Sequence, residues 1–139
     1  QFEAGKWYHI AVDFDNGNVK VYINGSEKLS DNVGSTSISL GAKHHNEDDG
    51  SRVFWIGYSY AHDRYFDGDI AEVRIWNRTL SKDDVNAPNH FYTVDPASEG
   101  LISYWKFDDA AGNIIKDYSS SGYDLTCDSN PKWNKVSLP

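Results

Sequence analysis

Methionine is absent from this 139-residue chain, and cysteine occurs once, at Cys127. A lone cysteine forms no internal disulfide and builds no cysteine-based zinc cluster. Without a local activating signature it reads as a small core residue, not a nucleophile. Basic residues are scarce too: 13 Lys and Arg stand against 21 Asp and Glu, a formal charge of −8. Nucleic acid is thereby an unsuitable partner, because phosphate binding needs a basic face. Neutral ligands and cations suit such a surface better. No apolar run approaches the roughly 20 residues of a spanning helix, so no membrane span is expected. A signal peptide is also missing, and with no methionine and a start at Gln1 the sequence reads as a segment of a longer precursor. The parent's export is left open by that reading.

Twenty aromatic residues and a hydrophobic content of 39% supply the buried area for one domain of this length. The strongest pattern is the period of a half-buried strand. From Trp7 to Phe14, Tyr8, Ile10, Val12 and Phe14 alternate with Trp7, His9, Ala11 and Asp13. Asn16-Gly17 is a tight-turn dipeptide, Val19, Val21 and Ile23 resume the alternation, and Asn24-Gly25 turns the chain again. Shorter strands are predicted at Ser37 to Leu40, Val53 to Ser59 and Asp69 to Trp76. Leu101 to Phe107 and Asn113 to Lys116 read as strands, and Leu125 to Cys127 and Trp133 to Val136 as weaker ones. One short helix is predicted, from the N-cap Ser81, with Asp83 and Asp84 in its first turn, to about Asn86, ended by Pro88. Short strands with Gly and Asn turns argue for an all-β antiparallel sandwich.

Three stretches carry a family resemblance. Asp67-Gly-Asp-Ile-Ala-Glu-Val-Arg-Ile-Trp-Asn-Arg-Thr-Leu80, with the helix that follows, resembles the closing strand of laminin-G-like and pentraxin-like domains of the concanavalin-A-like lectin group. Gly5 to Phe14 with Val19 to Gly25 is similar to that family's central hairpin. Leu101-Ile-Ser-Tyr-Trp-Lys-Phe-Asp108 with Asp117-Tyr-Ser-Ser-Ser-Gly122 resembles the motif that opens such domains. The resemblance implies a jelly-roll sandwich and sugar recognition by default. The opening motif here follows the closing strand. Residues 1–139 are therefore read as one sandwich lacking upstream strands, in which residues 100–139 either return to the same sheets, as a circular permutation, or begin a second, truncated repeat. Permutation is the favoured reading.

Catalysis finds no support. Glycoside hydrolases on this sandwich carry paired Glu residues on one strand. The five Glu here (Glu3, Glu27, Glu47, Glu72 and Glu99) show no such pairing. No nucleophile-elbow motif occurs either, so the chain reads as non-catalytic. The polar loop Lys43 to Gly50 reads as a solvated connection, since His44 and His45 would point to opposite sides if extended. The sequons Asn24-Gly-Ser26 and Asn77-Arg-Thr79 are explained by turn chemistry.

The sharper candidate is an aromatic and polar cluster of Trp55, Tyr58, Tyr60, His62, Arg64 and Tyr65, with Asp63, Asp67 and Asp69 interleaved. Trp55, Tyr60 and Tyr65, with His62, are expected to stack on the apolar faces of pyranose rings, and Asp63 and Arg64 to direct hydroxyls. The resemblance further implies a structural calcium near the closing strand, where Asp67 and Asp69 stand, although Ala71 occupies a position at which related domains commonly have Asp. The expected function is a non-catalytic carbohydrate-binding module of a secreted or cell-surface, bacterial, polysaccharide-handling protein. Its expected partners are a glycan and the upstream part of its own parent. The alternatives are an interaction or structural module, and an accessory fragment of a glycoside hydrolase with its catalytic residues upstream.

Overall fold

The chain was described from a computed structural model, which places residues 2–37, 55–59, 64–86, 88–127 and 131–138. Three strands open it: β1 (Ile10–Asp15), β2 (Asn18–Ile23) and β3 (Ser26–Asn32), in sheet order β1-β2-β3. Two-residue turns at Asn16-Gly17 and Asn24-Gly25 connect them, and all four residues have positive φ. That geometry matches the right-handed twist of a hairpin and explains the Asn-Gly pairs. Gly25 has a second role, because a Cβ there would sit 2.0 Å from the Asn86 side chain.

The register puts Ile10 opposite Ile23, Val12 opposite Val21 and Phe14 opposite Val19, with Leu29 beyond Val21. One face of this sheet is therefore apolar. It is also open: Ile10 is 55% exposed, Val12 67% and Leu29 51%. Tyr22, on the opposite face, is buried. The expected alternation identifies the strands, and the covered side is the one with fewer aliphatic residues.

Short pairs make up the rest: β4 (Tyr58–Ser59) with β5 (Arg64–Tyr65), β6 (Val73–Trp76) with β7 (Leu101–Trp105), and β8 (Ile114–Ile115) with β9 (Leu125–Thr126). Every pairing among the described residues is antiparallel. The β6–β7 pair sets Val73 opposite Trp105 and Arg74 opposite Tyr104, bringing the closing-strand stretch against the Tyr-Trp motif.

The helix α1 (Lys82–Asn86) starts as expected. Ser81 Oγ accepts from the Asp84 amide at 3.0 Å, and the Asp84 carboxylate accepts from the Ser81 amide at 2.9 Å. This reciprocal cap satisfies two otherwise unpaired donors, and the Ser81 amide holds the Asp84 carboxyl below its ordinary pKa. Only one short helix is expected from the sequence, yet Pro88 opens a second, α2 (Pro88–Tyr92). Proline's fixed φ and missing N–H suit the first helical position as well as they suit a stop. Trp133 to Val136, expected as a weak strand, has no strand pairing; the Trp133 Nε1 instead donates to the Gly112 carbonyl at 3.4 Å. The strand expectation at residues 38–40 and the Lys43 to Gly50 loop lie outside the described residues, as do Val53 and Phe54.

The core gathers around β7. Leu101, Tyr104, Trp105, Ile115 and Val85 are buried, and Asp117 is buried among them. The Asp117 carboxylate accepts from the amides of Tyr104, Ser119 and Tyr123 at 2.8–2.9 Å, which holds its pKa low despite burial. Among the described residues no helix is long and apolar enough to cross a membrane.

Candidate functional site

Aromatic rings meet on one surface of the β4–β5 hairpin. Tyr58 and Tyr65 stand opposite each other in the register, and such cross-strand neighbours place their side chains on one face. Their ring centroids lie 4.9 Å apart, and Trp55 packs on Tyr58 at 5.2 Å. Tyr58 is half-buried beneath its neighbours, whereas Tyr65 is 74% exposed, Phe66 60% and Trp55 37%. The Phe66 amide donates to the Gly57 carbonyl at 2.8 Å. The Phe66 ring lies so near Gly68 that a Cβ there would meet it at 2.8 Å. Glycine at 68 thus lets the ring lie down beside the hairpin. The outcome is a row of apolar rings open to solvent, with Asp67 and Asp69 exposed alongside.

Trp55 and Tyr65, both anticipated, are thus joined through Tyr58. Arg64 lies in β5, opposite Ser59. Tyr60, His62 and Asp63 lie outside the described residues. Tyr58 belongs to the same sequence cluster, without an assigned role there, and takes the central place; Phe66 as the flank is not anticipated from sequence. The signal for Phe66 was its position next to the turn Asp67-Gly68, where a large apolar residue has no strand face to bury.

Asp67 and Asp69 supply two carboxylates, one of which, Asp69, accepts from the Asn134 side-chain amide at 2.9 Å. Calcium takes six to eight oxygens. Among the described residues no group of three or more His, Cys, Asp or Glu is placed to hold a metal. An ion here would draw its remaining ligands from carbonyls and water.

A second polar cluster lies inside, where β6 and β7 meet α2. Glu72, at φ 58°, turns its carboxylate inward. It accepts from Arg74 at 2.6 Å and from the Tyr104 hydroxyl. Thr93 Oγ1 lies 3.0 Å from the same hydroxyl, and Arg74 also donates to the His90 carbonyl at 2.6 Å. The Arg74 side chain is 5% exposed, and its guanidinium lies 5.1 Å from the Tyr104 ring centre. Burial raises the Tyr104 hydroxyl's pKa, and its bond to Glu72 adds to that. Both of these partners engage the Glu72 carboxylate, an arrangement that suits a structural role.

His9 and His90 border this cluster, with rings 6.4 Å apart. Burial lowers the His9 pKa to about 4, with Arg74 and His90 adding repulsion; burial and Arg74 lower His90 as well. The unfolded His9 takes up a proton near pH 6.5 and the folded one only near 4, so stability is full above pH 6.5 and is lost as pH falls towards 4. Between pH 7 and 5 this loss should be about 1–2 kcal/mol, allowing for partial solvation of the ring. Urea unfolding at the two pH values should show it, and His9→Gln should remove most of the difference. An equal difference in the variant would assign the pH dependence elsewhere.

A family profile described as the concanavalin A-like lectin/glucanases superfamily matches residues 1–86. No curated protein matches the sequence. Among solved structures, the chain is similar to a candidate carbohydrate binding protein from Bacteroides ovatus, with 26% identity and a TM-score of 0.69. That match covers 96% of this chain and 40% of the other. An S-layer domain-containing protein from Clostridium thermocellum is 28% identical over 62% of this chain and 40% of its own, with a TM-score of 0.47. The chain thus spans 40% of the length of each.

Proposed function

The chain belongs to the concanavalin A-like lectin/glucanase superfamily, and from that premise we propose that it is a non-catalytic carbohydrate-binding module of a secreted or cell-surface polysaccharide-handling protein. The observation that carries this reading is the ring row in which exposed Trp55 and Tyr65 are joined through half-buried Tyr58. Apolar rings with little cover suit the C–H faces of sugar rings, and flanking carboxylates suit hydroxyls. Likeness to the Bacteroides ovatus protein supports the ligand class. The antiparallel β6–β7 pair supports reading residues 1–139 as one permuted sandwich. The second partner in this reading is the upstream part of the parent polypeptide. The uncovered aliphatic face of β1–β3 favours an interaction module as the competing reading.

A shallow platform buries little of a sugar, so affinity should lie between micromolar and millimolar, roughly 4–8 kcal/mol. Tyr65→Ala should weaken glycan binding about tenfold or more, near 1.4 kcal/mol, with an unchanged melting curve, since Tyr65 is mostly exposed. A glycan array followed by calorimetry tests both. Absence of binding at millimolar sugar, or equal binding by Tyr65→Ala, would sink the site and leave the interaction module as the better reading.

The calcium reading is held on Asp67 and Asp69. Its expected result is a melting temperature that rises with added calcium after chelation, by mass action on the folded state. Asp69→Ala should abolish the rise. An unchanged curve at millimolar calcium would leave both residues as turn formers.

A further inference from the structure

Two strand edges face one empty groove. It measures about 590 Å³, with residues 11–15 along one wall and residues 74–80 along the other. Consecutive residues line both walls, odd and even positions alike. Successive side chains of a strand point to opposite faces, so walls of this kind are strand edges and not strand faces. The pairing agrees. β1 gives one edge to β2, β6 gives one edge to β7, and among the described residues neither has a partner on its other edge. One end is closed where the Leu80 amide donates to Asp13 Oδ1 at 3.4 Å. Open edges carry rows of N–H and C=O groups that template a further strand.

We propose that this groove takes up an extended polypeptide strand from outside residues 1–139, which hydrogen-bonds to β1 and β6 and joins their two sheets. The side chains of β1 fix the chemistry of the occupant. Ile10, Val12 and Phe14 belong to the open aliphatic face, and a strand laid beside β1 continues that face. Alternate residues of the occupant are therefore apolar. The residues between them fall on the side of Asp13 and Asp15, where the groove runs into a second hollow of about 490 Å³ that also holds Lys20, Arg78 and Asp84. Asp13 stands opposite Lys20, Arg78 pairs with Asp84 at 3.5 Å, and Arg74 on the far wall is held by Glu72. Asp15 is left over, in a chain of formal charge −8, which favours Lys or Arg at the intervening positions. This inference stands apart from glycan binding, which uses the β4–β5 surface.

A capped peptide of alternating Val and Lys, titrated against the whole chain, tests it by hydrogen exchange. The expected result is slowed exchange of amides within residues 11–15 and 74–77 that exchange fast in the free chain. A Val–Glu peptide should bind about tenfold more weakly. The Val–Lys peptide N-methylated at alternate residues should give no protection, because one set of edge hydrogen bonds is removed. Equal binding of the N-methylated peptide would reduce the effect to charge attraction and overturn the proposal. It is overturned equally if no protection appears in either wall. The same holds if these amides are already protected in a free chain that sediments as a monomer or as a dimer, for then the chain itself, or a second copy, fills the groove.

Discussion

Tyr104→Ala is expected to lower stability by about 4 kcal/mol, a large part of what a single domain possesses. Tyr104 is fully buried, and truncating a buried aromatic costs both the transfer energy of the ring and the cavity left behind. Its ring also lies under the Arg74 guanidinium at 5.1 Å and the Lys106 ammonium at 5.4 Å. Its hydroxyl joins Glu72 to Thr93. Tyr104→Phe separates these contributions, because it keeps the ring and removes only the hydroxyl. The phenylalanine variant should lose about 1–2 kcal/mol, the cost of leaving buried partners less satisfied. Chemical denaturation of the two variants measures the split. If Tyr104→Phe costs as much as Tyr104→Ala, the hydroxyl network and not the packed ring holds β6 to β7. If neither moves the midpoint, the core lies elsewhere.

How much of this was legible in the sequence depends on the range of the interaction. Local rules served well. The Asn-Gly turns locate both hairpins, since φ > 0 at two successive residues is demanded within four positions of chain. The Ser81 cap and Asp84 follow from the same short range. β3 was not anticipated, because Ser26–Asn32 has no apolar alternation and all seven residues are exposed. It is a strand only because β2 pairs with it after the Asn24-Gly25 turn. Alternation in β1 also gives the period without the covered side, since cover comes from elements far along the chain. Pro88 carries two meanings, stop and start, and its fixed φ and missing N–H serve either one equally. At the candidate site, aromatic density pointed to Trp55 and Tyr65. That Tyr58 links them depends on a cross-strand register no single residue reports.

The other large effect is expected at Glu72. Glu72→Ala should destabilise by about 3–5 kcal/mol, because it strands the Arg74 charge in a site where only 5% of that side chain reaches solvent. The Tyr104 hydroxyl loses its acceptor in the same stroke. Backbone strain does not confound the comparison, since alanine at φ 58° bears the same penalty as glutamate. The origin of the loss can be separated by removing both charges. In Glu72→Ala with Arg74→Met, no ion remains uncompensated, and an apolar chain of similar length fills the guanidinium's place. The double variant should therefore recover at least half of the stability lost in Glu72→Ala, as apolar replacements of buried ion pairs commonly do. Denaturant midpoints at pH 7 decide the matter. A double variant no more stable than Glu72→Ala would mean that the carboxylate matters for its bond to Tyr104. A single variant of wild-type stability would mean that water reaches Arg74 once its partner is gone, and that this cluster is less enclosed than its geometry implies.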